Sequence, residues 1–258
     1  MFFRGFRGHH IYCYQVERIL VTGPPPEMSV HLLAIETSTP ACSAALWLDG
    51  DVLERYALAP RQHAALMLPM IESLLLEAGI TVPQLDAIAF GRGPGSFTGV
   101  RIAASVVQGI AFAADLPVVP VSTLAALAQG GMRLTDGRQV MAALDARKAE
   151  VYWGCYTDAG TGTVALQGSE CVCAPAAVSC PDGNDWVGVG SGWEAYGDDL
   201  MKRVGEQVVR VLPDFEPRAA DVARLGSHEF RQGKTVSPEA AVPVYLRNNV
   251  AEVKKSLL

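Results

Sequence analysis

No lysine follows a glycine-rich turn in the GxxxxGK[ST] spacing anywhere in this chain, which excludes the P-loop route to phosphate chemistry. The five histidines, at 9, 10, 31, 63 and 228, form neither an HxxxH nor an HExxH pair, so a helix-borne metal site of the hydrolase kind is missing. A GxSxG nucleophile elbow and a CxxC redox motif are absent too. The six cysteines follow no paired zinc spacing, and a chain of 258 residues needs no covalent staples, so they read as free thiols, with Cys171 and Cys173 left as a metal or redox alternative. Charged residues make up only 19% and aromatics 7%, and the net charge of -6 is without a basic tract, giving no general electrostatic reason to bind nucleic acid. No apolar run has the uninterrupted length of a membrane span, and no secretory signal core is present.

What is present is a soluble α/β pattern organised around residues 89–115, AFGRGPGSFTGVRIAASVVQGIAFAAD. The apolar run DAIAF ends in four glycines interleaved with Pro94 and Ser96, and a small-residue helix pattern follows, predicting a tight strand-to-helix turn. Backbone N–H groups at such a turn can converge on an anion. Glu36 and Ser38, at the end of the strand HLLAIETS, with Gly93, Gly95 and Ser96 in the turn, are therefore candidate anion or nucleotide contacts. A hydrogen-bonded strand-end turn explains the same residues equally well.

Residues 1–27 differ from the rest, being aromatic and basic and ending near three prolines; they read as an extension that is disordered or non-native, Met28 then being the initiator, with a peripheral arm as the alternative. HLLAIETS, ACSAALWLDG and DVLERYALA predict three strands, the last two joined at Asp49-Gly50. Residues 62–79 predict a helix, with Pro69 inside, Gly79 as its stop and His63 as a cap or surface histidine. LPVVPVS predicts a strand and TLAALAQ a short helix running into Gly130 and Gly131, the best boundary between two halves. QVMAALDARKAEVYWGCYTD repeats the opening hairpin in outline. The glycines around Ser191 predict a turn that either holds a nucleotide or simply connects, and AVPVYLR predicts an edge strand.

On the helix behind the turn, Arg101, Ser105 and Gln108 share one face, and Ala104 and Ala111 belong to the small residues elsewhere on it. Two readings are open: dense packing on the domain's own sheet, or an open side that meets a partner helix, with Met67, Met70 and Ile71 adding adaptable surface.

HLLAIETSTPACSAAL, AFGRGPGSFTGVRIAASVVQGIAFAADLPVVPVSTLAALA, ALDARKAEVYWG and AVPVYLR together resemble the TsaB (YeaZ) family, and GPGSFTGVRIA is the most specific of these runs. Val100 and Ala103 depart from it conservatively, at positions where the family more often has Leu and Gly. The resemblance implies a two-lobed α/β fold of the actin-like ATPase type (ASKHA, ribonuclease H-like), with mixed sheets flanked by helices. It further implies lobes at 28–130 and 131–250, the first completed by a helix near 217–232, and a tail at 251–258. It implies a cytoplasmic, non-catalytic subunit that works with TsaD and TsaE in threonylcarbamoylation of adenosine next to the anticodon, in tRNAs reading codons that begin with A. A homodimer is expected in the absence of TsaD, and tRNA contact only through the complex. No cofactor is expected of this subunit, with ATP or ADP entering at the level of the complex. The catalytic relative's HxxxH pair falls here on Thr123 and Leu127. The competing class is an enzyme of the same superfamily, a small-molecule kinase or a metalloprotease.

Overall fold

A computed structural model describes residues 29–247 and the backbone of one further strand at Gln15–Ile19. The first lobe opens with β1 (Gln15–Ile19), β2 (His31–Glu36), β3 (Ala41–Leu48) and β4 (Asp51–Leu58). β2, β3 and β4 form an antiparallel meander, and β1 adds itself antiparallel to β4, from Gln15 opposite Tyr56 to Ile19 opposite Val52. Five residues of the 1–27 stretch thus lie along the sheet edge, and the rest of it is outside the described residues. The turn between β3 and β4 has Asp49 and Gly50 at positive φ, the twist a two-residue hairpin requires. β5 (Ala87–Gly91) and β6 (Val118–Val121) then run parallel to β2, giving the order β1-β4-β3-β2-β5-β6.

The second lobe repeats this plan. β7 (Gln139–Asp145), β8 (Val151–Asp158) and β9 (Val164–Cys173) form an antiparallel meander, and β10 (Trp186–Val189) and β11 (Val208–Leu212) run parallel beyond β7. Its order, β11-β10-β7-β8-β9, mirrors that of the first lobe without β1, so the repeated outline legible in the sequence is a repeated topology.

Helices cover both faces of the first sheet, which is why β2 is apolar without alternation. Leu33 and Ile35 face α1 (His63–Ala78) and α2 (Phe97–Ala114), while Leu32 and Ala34 face α5 (Ala219–Arg231). α5 follows β11, so the chain returns from the second lobe to finish the core of the first. α3 (Thr123–Thr135) does the reverse: it leaves β6 and buries Leu124, Leu127 and Ala128 against Val140, Ala142 and Val189 of the second sheet. The far face of that sheet is closed by α4 (Ser191–Val204), through Trp193, Leu200 and Val204.

This exchange of helices corrects the expected boundary. Gly130 and Gly131 lie inside α3, which continues to Thr135. A methyl group on Gly130 would stand 2.4 Å from the Phe215 ring, and one on Gly131 2.5 Å from Val189 of β10, so both are glycines required by close packing. AVPVYLR is corrected as well: residues 241–247 form no strand, and Val236 supplies the antiparallel bridge to Val118 at the β6 edge. Pro243 has no N–H to give a ladder, and Val244 N–H bonds instead to Arg92 O at 2.8 Å. His63 is neither a cap nor a surface residue: its ring is buried and Nε2–H donates to the Thr39 carbonyl at 2.8 Å.

Candidate functional site

The glycine turn after β5 lies directly on the turn that ends β2. A Cβ on Gly91 would stand 1.9 Å from Glu36 Oε2, and one on Gly99 2.0 Å from Thr37 O, so these two positions accept no side chain without moving the chain. Ser96 N–H donates to Ser38 O at 2.6 Å, and Thr37 Oγ1 donates to Gly99 O at 2.7 Å. Ser96 Oγ caps α2 by accepting from Gly99 N–H at 3.4 Å. Several of the donors expected to face an anion are therefore used within the two turns.

The candidate anion contacts divide accordingly. Glu36 is buried, accepting from Ser38 N–H at 2.6 Å and from Thr123 Oγ1 at 3.2 Å. Burial pushes its carboxyl above the usual range, and these hydrogen bonds oppose the shift. Gly93 is covered, with the Val244 carbonyl 3.0 Å from where its Cβ would be. As ligand contacts, Glu36 and Gly93 are corrected to internal supports of the turn. Ser38, Gly95 and Ser96 do line a cleft of about 800 Å³ between the lobes. Its other walls carry Asp145, Glu194 and Glu216, and its cations Arg147 and Arg247 are engaged by Asp145 and Glu150 respectively. The Gly-Ser-Gly turn at 190–192 packs on the end of β7, where Ser191 Oγ accepts from Asp145 N–H at 3.2 Å.

The outer side of the first lobe has a different character. α1 exposes Leu68 (56%) and Leu76 (81%), and α2 exposes Phe97 (58%) and Phe112 (72%). Both helices sit on the same face of the sheet, with Leu68, Leu76 and Phe112 turned away from it, while Phe97 at the start of α2 borders the inter-lobe cleft beside Tyr245. Along α2, Arg101, Ser105, Gly109 and Ala113 are exposed as well; a Cβ on Gly109 would meet open space. On α2 the exposed positions Phe112 and Ala113 leave apolar surface away from the sheet. At the start of α2, the Arg101 guanidinium stands 3.3 Å above the Phe97 ring, and Tyr245 approaches the same ring at 6.0 Å.

A family model described as "TsaD: tRNA N6-adenosine threonylcarbamoyltransferase" matches residues 57–255. The chain is 43% identical over 228 residues to the tRNA threonylcarbamoyladenosine biosynthesis protein TsaB of Escherichia coli K12, covering 86% of this chain and 96% of that protein. Its likeness to the TsaB of Haemophilus influenzae is 40% over 230 residues, 86% and 95% of the two chains. Among solved structures, YeaZ from Pseudomonas aeruginosa superposes with a TM-score of 0.79 at 47% identity, over 84% of this chain and all of that one. The chain belongs to the TsaB branch of the TsaD family. TsaB proteins are the non-catalytic relatives of TsaD in the two-lobed actin-like superfamily.

In this TsaB chain Thr123 and Leu127, the positions on which the resemblance puts the catalytic relative's histidines, lie deep in the interior. Thr123 is fully buried with its hydroxyl on Glu36, and Leu127 is fully buried in the core of the second lobe. Among the described residues, no three His, Cys, Asp or Glu side chains are grouped so as to hold a metal ion.

The expected TsaB interface needs revision on both helices. Met67, Met70 and Ile71 are buried between α1 and the sheet, and Ala104 and Ala111 are buried on the inner face of α2. They are core residues, because the apolar stripe of a two-layer packing must face its own sheet first. Arg101 and Ser105 are exposed as expected, while Gln108 is half-buried and donates through Nε2 to Ala241 O at 3.2 Å. Leu68, Leu76 and Phe112, absent from the sequence-based set, are the prominent residues of the outer face. No sequence signal singled them out, because both helices are apolar on several sides and only the sheet beneath them selects the buried stripe.

Proposed function

We infer that this chain is the non-catalytic scaffold and activator subunit of a tRNA threonylcarbamoyl transferase complex, docking on TsaD through the outer face of α1 and α2. The observation that carries this reading is the set of exposed apolar side chains on the two helices, Leu68 and Leu76 of α1 and Phe112 of α2, on a chain of the TsaB branch. Large apolar side chains on two adjacent surface helices are costly in isolation, and small residues between them let another helix approach closely. In the absence of TsaD the same face serves a second copy, giving a homodimer. TsaE joins the assembled pair, and tRNA is met mainly by the other subunits, in keeping with the net charge of -6 here. The reading implies a cytoplasmic protein that needs no cofactor of its own, with ATP or ADP handled at the level of the complex.

The test is reconstitution of threonylcarbamoyl transfer to tRNA from TsaD, TsaE and the threonylcarbamoyl-AMP donor, with this chain present or omitted. Product is expected only when it is present. Equal product in both reactions would overturn the activator function.

A further inference from the structure

A second cavity, of about 610 Å³, lies between β6 at the edge of the first sheet and β9 at the edge of the second, and shares no lining residue with the inter-lobe cleft. Its apolar wall includes Val121, Leu166 and Leu225. Its polar lining is charged in both senses, with Arg92 and Lys234 against Glu170 and Glu229. The main chain of Arg92 is fixed on both sides, its N–H on Val121 O and its carbonyl under Val244 N–H, each at 2.8 Å. From this anchored position the guanidinium lines the cavity, and its Nε is buried without a hydrogen-bond partner. No ion pair to Arg92 occurs among the described residues. Glu229 and Tyr156 lie close enough to feel its charge, and Nε is left as a donor without an acceptor among the described residues.

Glu170 lines the same cavity in the opposite sense. Its Oε1 accepts from both Ser122 Oγ and Tyr156 Oη, which fix the carboxylate, while Oε2 takes no hydrogen bond among the described residues. Burial and the Glu170 charge raise the Tyr156 hydroxyl well above its ordinary value, so the phenol stays a donor at neutral pH. Glu229 and Lys234 complete the polar lining. A forked cationic donor and an oriented carboxylate oxygen thus share one small, partly apolar space. We propose that this cavity binds a small carboxylate that also bears a hydroxyl or ammonium group, the carboxylate on the Arg92 guanidinium and the donor on Glu170 Oε2.

The guanidinium fork matches a carboxylate in geometry and charge. Arg92 and Lys234 only balance Glu170 and Glu229, and the two carboxylates repel a phosphate dianion more than a carboxylate monoanion, so the site favours the monoanion. The volume falls in the range of small-molecule sites. This site is independent of the docking face on α1 and α2, and its failure would leave the scaffold function untouched.

The experiment uses the full chain, labelled with 15N, and follows the Arg92 Nε–Hε resonance during titration with glycolate, a hydroxycarboxylate, and separately with inorganic phosphate. A ligand of so few atoms should saturate at about millimolar concentration. The expected result is a saturable glycolate shift at Arg92 and at the amides of Ser122 and Glu170, no comparable shift with phosphate, and loss of the response in Arg92→Gln. Glu170→Gln keeps the guanidinium and should weaken glycolate by roughly tenfold, the loss of one charge-assisted hydrogen bond. A glycolate titration that moves none of these resonances overturns the proposal, as does an equal response to phosphate or an undiminished one in a folded Arg92→Gln. If that variant does not fold, the wild-type titration decides by itself.

Discussion

The guanidinium of Arg133 forks onto the carboxylate of Asp221, with Nε 3.1 Å from Oδ1 and Nη2 3.0 Å from Oδ2. Arg133 belongs to α3 and Asp221 to α5, the two helices that each lobe lends to the other, so this pair clamps the crossing. Asp221 is buried, and the nearby Gly130 leaves room for its carboxylate at the contact. Removing the buried carboxylate abolishes the fork that satisfies the Arg133 guanidinium at this crossing. Asp221→Ala is therefore expected to lower the unfolding free energy by about 3 kcal/mol, read from urea denaturation. A loss under about 1 kcal/mol would show that the clamp contributes little.

Glu54 gives a pH signature. It is buried, ion-paired to Arg218 at 2.7 Å, and accepts from Ala220 N–H at 2.9 Å. Burial outweighs the Arg218 charge and pushes its carboxyl up to about 7, from an ordinary value of 4.5. A carboxyl whose folded value is raised binds its proton more tightly in the native state, so its contribution is full below 4.5 and is lost as pH rises through about 7. Glu54→Gln should accordingly gain stability relative to the wild type as pH climbs across that window. A pH-independent difference between the two denaturation curves would rule this out.

On the docking face, Phe112→Asp and Leu76→Asp should fold normally, because both side chains already face solvent. Each should weaken the TsaD complex by about 2 kcal/mol or more if it anchors the contact, measured by calorimetric titration. Unchanged affinity in both would move the interface elsewhere. Ala104→Asp is the contrasting variant: its side chain would enter the core beneath α2, so loss of the folded monomer is expected rather than loss of binding by a folded one.

Two glycines of the same helix make a sharper contrast. Gly109→Ala meets nothing within 4 Å and should stabilise the protein by about 1 kcal/mol through helix propensity. Gly99→Ala would drive a methyl group to 2.0 Å from Thr37 O and force apart the two turns that fix the cleft wall. Thermal denaturation should show a rise in melting temperature for the first and a fall for the second; a fall in both would mean that α2 is constrained along its outer face as well.

The sequence by itself determined the elements and their repetition. Period-2 and continuous apolar runs located the central strands, Asp49-Gly50 located the hairpin, and GPGSFTGVRIA located the turn and the helix behind it. Local chemistry governs these features: backbone conformation at a turn and the burial pattern of a strand depend on residues within a few positions. Only the tertiary structure decided which face of α1 and α2 was spent on the core, since Met67 and Leu68 are both apolar neighbours and only the sheet beneath them distinguishes inside from outside. It also decided that Gly130 and Gly131 lie inside a packed helix rather than at a boundary between the halves, because the contact partners Phe215 and Val189 are more than fifty residues away. The cavity around Arg92 and Glu170 was illegible for the same reason: it exists only where the edges of two sheets, far apart in the chain, are brought side by side.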